Sequence, residues 1–133
     1  MLNRRYFIFI SAAGITCTRP SKSLKDLLPG QVQRAWTLRQ ADALPVEEAP
    51  AIIRSLGLRQ AISAVYEGNG KITVHLFEMN VEASAFELIQ KWRQQDGLAS
   101  YKGPYFFVAN PSGPDQATVS SFLRVFQQEM KTG

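Results

Sequence analysis

The chain has 133 residues, 45% of them hydrophobic and 20% charged, with a formal net charge of +4. That is the composition of a packed globular domain with one ordinary core, and it excludes a disordered polar chain. One cysteine and one histidine rule out a disulfide framework and argue against a dedicated zinc set.

The first element in chain order is an address. Arg4 and Arg5 precede an uncharged run, Tyr6 to Ile15, in which Ser11 is the one clearly polar residue. Ten residues are too few to cross a bilayer as a helix, which takes roughly 20. A basic start, a short apolar run and small residues after it predict an export signal over residues 1–16. "NRRYFI" resembles the twin-arginine signal through Arg4, Arg5 and Phe7, with Asn3 and Phe9 as departures; the general secretory route stays open. "GITC" resembles a bacterial lipobox, which implies lipidation of Cys17 and a membrane-tethered product, although Gly14 and Thr16 depart from the pattern. The alternative is a removed or idle cysteine, with no membrane partner. Removal of residues 1–16 leaves 117 residues with 13 basic against 11 acidic side chains, a charge of +2, so the case for an anionic partner is weak.

Residues 17–30, "CTRPSKSLKDLLPG", read as a tether leading into a single domain over 31–133. "RAWTLRQ" alternates as a strand does, with Trp36 and Leu38 on one face. "VEEAPAIIRSLG" predicts a short helix from about Pro50, stopped at Gly57, with Glu47 and Glu48 favouring its N-terminal end. "LRQAISAVYEGNGKITVHLFEM" reads as strand, tight turn, strand. In its second half Ile72, Val74 and Leu76 share one face, and Thr73, His75 and Phe77 the other. "NVEASAFELIQKWRQQDG" predicts a helix capped by Asn80, with Val81, Ala85, Leu88 and Trp92 as its apolar stripe. "GPYFFVANP" is a fourth strand, and "SGPDQATVSSFLRVFQQEMK" a last helix with Ser112 and Asp115 at capping-box spacing and Val119, Phe122, Phe126 and Met130 inward.

The order β-α-β-β-α-β-α predicts an α+β fold of the ferredoxin-like, split β-α-β kind: a four-stranded antiparallel sheet with helices mainly on one face. Tyr105, Phe107 and Phe77 would then lie on the bare face, where the last helix, the N-terminal segment or a second copy would cover them. A homodimer through that sheet face follows as an expectation. The segment "ITVHLFEMNVEASAFELIQKW" resembles an uncharacterised family of exported bacterial proteins, which implies export and this type of fold, and no reaction. The family's Gly-Ala-Glu segment on the preceding helix is absent; "APAIIRSLG" stands in its place.

Few residues carry chemistry. His75 is the one histidine, without a local serine or cysteine motif, so it predicts a half-buried structural residue, and the best candidate if the protein is an enzyme. A ligand pocket, if there is one, is expected at His75, Phe77, Tyr105 and Phe107, with no catalytic residue, metal or cofactor assigned. Glu78, with Asn80 and Glu82, forms a small polar group that strand-end and capping roles explain. "PGQVQR" resembles the phosphate loop of acylphosphatases at Gly30, Val32 and Gln33, then departs at Arg34, Ala35 and Trp36. "KITVHLFEM" lacks the basic-aromatic signature of an RNA-recognition domain, and no nucleic-acid partner is expected. The expectation is an exported binding or accessory domain of the periplasm or cell envelope. The alternative is a small enzyme whose two copies enclose an apolar pocket near His75.

Overall fold

The computed structural model describes residues 23–92 and 97–131. Arg4, Arg5, Phe7 and Cys17, and with them the expected export signal and lipidation site, lie outside the described residues. The elements are α1 (Leu24–Leu27), β1 (Gln31–Val32), β2 (Trp36–Leu44), a 3-10 turn (Val46–Glu48), α2 (Ala51–Ser55), β3 (Leu58–Gly68), β4 (Gly70–Met79), α3 (Glu82–Lys91), β5 (Leu98–Lys102), β6 (Tyr105–Ser112) and α4 (Gln116–Glu129). Among these residues no helix is long and apolar enough to cross a membrane.

The fold is α+β, but not ferredoxin-like. A single curled sheet has six strands in the order β1-β2-β3-β4-β6-β5, every neighbouring pair antiparallel. The reason lies in the first connection. A nine-residue strand such as β2 runs about 30 Å, whereas the five residues of α2 rise only about 8 Å. So short a helix does not carry the chain back along the strand for a parallel crossover, and β3 returns antiparallel beside β2. Only α3 serves as a crossover, from β4 to β5, and β6 fills the place between them. Strand β5, "LASYK", was not expected from its mixed polarity; all five of its residues are half-buried.

Helices cover both faces, which corrects the expected one-sided arrangement. On one face α1 and α4 pack on Ile62, Ala64, Tyr66, Ile72, Val74, Leu76 and Phe107. On the other, Ile53 of α2 and Ala85 and Leu88 of α3 pack on Ala61, Phe77, Phe106 and Val108. Alternation along β4 sorts its residues between the faces as the sequence predicted. The stretch expected to be a tether already belongs to the domain from Leu24, since Leu24, Leu27 and Leu28 are buried in the first core.

Two local details differ from the expected pattern. The N-cap of helix α3 is Val81, which is exposed and makes no side-chain cap bond, while the Asn80 side chain lies against Gly57 and the Asn80 backbone N–H donates to the Gly57 carbonyl at 2.8 Å. Gly57 has φ +98°, and a Cβ there would meet the Asn80 side chain, so this corner depends on glycine. In α4 Asp115, not Ser112, is the cap: its carboxylate accepts from the Thr118 amide at 2.8 Å. That hydrogen bond also holds the Asp115 carboxyl below its ordinary pKa.

Candidate functional site

The second face is incompletely covered. Between α2 and the C-terminal end of α3 lies a half-open cavity of about 520 Å³, within the size range of sites that hold small organic ligands. Its floor is His75 and Phe77 of β4, Val108 and Asn110 of β6 and Leu44 of β2. Glu48, Pro50 and Ile52 form one wall, Lys91 and Trp92 the other. A smaller hollow of about 440 Å³ at the β3–β4 turn has polar walls, and Asp115 already caps the helix end that opens onto it.

Backbone geometry explains how these residues meet. A bulge between Leu38 and Gln40 shifts the register of β2 by one residue. Without it, Leu44 would share the face of Trp36 and Leu38; with it, Leu44 turns to the cavity and Ala41 to the first core. The short α2 is what leaves the gap, since it covers the sheet only around Ile53 and its Ile52 is left 38% exposed at the rim. Trp92 closes α3, edge-on to Phe106 at a centroid distance of 5.3 Å. Its indole N–H is buried and, among the described residues, has no hydrogen-bond partner.

Electrostatically the cavity is apolar in its depth and charged at its lip. Burial lowers the pKa of His75, which favours the neutral imidazole, and among the described residues no hydrogen bond fixes either ring nitrogen. Its ring stands edge-on to Phe77 at 6.4 Å. Lys91 is held by Glu87 one turn back at 2.7 Å, so its charge is already balanced. Asn110 has its side-chain oxygen against Gly97.

Of the four residues expected to line a pocket, the structure brings two together. His75 and Phe77 are on the cavity floor. Phe107 is fully buried on the opposite face, 5.2 Å from Phe126 of α4, and Tyr105 packs against the same core. The parity of β6 decides this: Phe107 pairs with Leu76 and Phe106 with Phe77, so Phe106, not Phe107, shares the side of His75. Tyr105 lies opposite Glu78; burial, then the Glu78 charge, raise its pKa, with Arg59 opposing. Glu78 accepts from Gln60 at 2.6 Å and approaches Arg59 at 3.8 Å, a strand-end cluster apart from Asn80 and Glu82. Sequence reasoning missed Glu48, Lys91, Trp92 and Asn110 as cavity residues. The one signal available was Asn110, a polar residue inside "FFVAN".

Asp42, Ser63 and His75 lie in one cross-strand row on the cavity side. They do not form a nucleophile and base. Serine stands between the other two, no hydrogen bond joins any pair, and the Asp42 carboxylate is taken by Gln40 at 2.6 Å. The acylphosphatase resemblance also fails here. Gln31 and Val32 pair with Thr37 and Trp36, and Val32 is fully buried, so this stretch forms a strand instead of a phosphate cradle. Among the described residues no three His, Cys, Asp or Glu side chains gather to hold a metal. No family model matches the chain, and neither a curated protein nor a solved structure matches it significantly.

Proposed function

We propose that this chain is an exported binding module of the cell envelope, anchored through Cys17, whose ligand site is the cavity between α2 and α3. The observation that carries the binding reading is the cavity itself: about 520 Å³, floored mainly by Phe77, Val108 and Leu44, with His75 and Asn110 as the polar groups of the floor and the charges at its edge. The opening residues support export, as does the resemblance of "ITVHLFEMNVEASAFELIQKW" to exported proteins.

The test for the cavity uses N-phenyl-1-naphthylamine, a neutral apolar dye that brightens out of water. Saturable brightening is expected, and Ile52→Asp should abolish it, because a carboxylate placed at the rim must be desolvated as the dye enters. Ile52 is on the surface, so the variant keeps its fold. Brightening that is absent, or equal in the variant, would overturn the binding reading. For the address, the mass of the mature N-terminus is measured after cell fractionation, for wild type and Cys17→Ser. A lipidated Cys17 in the membrane fraction, lost in the variant, is the expected result; an intact cytosolic Met1 overturns it.

A further inference from the structure

We infer that the cavity selects an organic cation with an apolar body, a hydrophobic amine or quaternary ammonium, and that Glu48 is its charge partner. The inference rests on the binding reading above and names the ligand class for that site. Three features of the cavity point the same way.

The first is the charge balance of the lip. Glu48 lines the cavity, Glu47 precedes it on the same 3-10 turn, and Asp42 stands two strands from His75 on the same sheet face. The lysine that faces them, Lys91, is matched by Glu87 at 2.7 Å. Arg54, on α2, turns its Nε to the Ala49 carbonyl at 3.0 Å. Among the described residues the lip is therefore net acidic, with Glu48, Glu47, Asp42 and Glu87 against Lys91 and Arg54, although the whole chain is basic at +4. An anionic ligand would meet repulsion there and a cation attraction.

The second is that nothing in the depth opposes a positive charge. His75 is the one titratable group on the floor, and burial favours its neutral form. The third is the aromatic lining. Trp92 and Phe77 both line the space, and a cation near aromatic rings gains further attraction, the more so where water is excluded. The volume of about 520 Å³ leaves room for an apolar body beneath the charged end.

The discriminating experiment measures calorimetric binding of three probes with one body and three heads to the full chain: benzyltrimethylammonium, benzyl alcohol and phenylacetate. The cation is expected to bind about tenfold more tightly than the alcohol, and the anion more weakly than either. Glu48→Gln should remove most of the cation's advantage and leave the alcohol unchanged. Glu48 is exposed, and an unchanged unfolding midpoint checks that the variant folds. Equal binding of cation and alcohol, tighter binding of phenylacetate, or a cation advantage that survives Glu48→Gln overturns the charge assignment and leaves the cavity as a binding site. Binding of none of the three overturns the ligand class, and the neutral dye then decides whether the cavity binds at all.

Discussion

The two faces of the sheet are built from similar residues and reach opposite ends. On the α1–α4 side, a continuous aromatic layer fills the centre of the face, and a hollow of about 230 Å³ remains toward its edge, between α4 and β5. Trp36 and Tyr66 meet Phe122 edge-on at 5.9 and 5.3 Å, and Phe122 stacks on Phe126 at 5.8 Å. The Tyr66 hydroxyl, buried with the rest, donates to the Pro29 carbonyl at 2.6 Å and ties the chain entering β1 to the centre of the sheet. On the α2–α3 side, two short helices leave a cavity and, among the described residues, an indole N–H and a histidine without hydrogen-bond partners. A small domain stabilised by one face can leave the other unfinished. The closed face sets stability, and the open face is where a ligand can be met.

The largest expected effect breaks the closed face. Phe126 is fully buried against Tyr66, Phe107 and Phe122. Phe126→Ala should cost about 3–5 kcal/mol, through lost transfer energy and the cavity it leaves. Phe86, 47% exposed on α3, should cost well under half as much when changed to alanine. Urea unfolding of both variants measures the contrast, and similar losses would show that the two faces share the load.

Tyr66→Phe comes next. It removes the bond to Pro29 and leaves a buried carbonyl unpaired, at a cost of about 1–3 kcal/mol. It should also change the alkaline limit. Burial, then the charge of Glu129, raise the pKa of Tyr66 above its ordinary value of 10.0. The unfolded chain then loses that proton first. Native stability is therefore full below about pH 10 and falls as pH rises further. A wild-type alkaline transition that Tyr66→Phe does not alter would remove Tyr66 from this account.

The two tryptophans sharpen the comparison, because one marks each face. Trp36 is 3% exposed in the closed core, and Trp92 lines the cavity. A bound cation should change the fluorescence of Trp92 alone. The ligand-dependent signal should persist in Trp36→Phe and vanish in Trp92→Phe; the reverse would place the ligand elsewhere.

What was legible in the sequence follows the same division. The closed face was visible because helical period and strand alternation both hold there: Val119, Phe122, Phe126 and Met130 are buried as their spacing demands. The site was half legible. His75 and Phe77 share a face by simple alternation, and that reading stands. The faces of Tyr105 and Phe107 are not legible, because β6 is apolar on both faces and its parity is fixed only by pairing with β4. Leu44 was hidden by the bulge at Leu38 and Gln40, which no residue pattern announces. The sheet order was misread because an α element between two strands suggests a crossover, and only its length, five residues in α2, shows that it is not one.

The smallest effect concerns His75, and its sign is opposite to that of Tyr66. Burial lowers its pKa below the ordinary 6.5, so on acidification the unfolded chain takes up the proton first. Stability should therefore fall as pH drops through about 6.5 and level off below the native pKa. The imidazole is only half-buried, so the effect is shallow. His75→Phe keeps an aromatic ring at the floor and removes the titration. The gap between its urea midpoint and that of the wild type should widen in favour of the variant from pH 7.5 to pH 5.5. A constant gap would mean that the ring reaches water freely in the native state, and that the floor of the cavity is wetter than its apolar lining implies. Tyr66 in the closed layer thus lowers stability at the alkaline end, and His75 in the open layer lowers it at the acid end, together with Asp115 at the α4 cap. The acid limit is the one a bound apolar ligand should move, because a ligand seated over His75 deepens its burial and holds it neutral to lower pH.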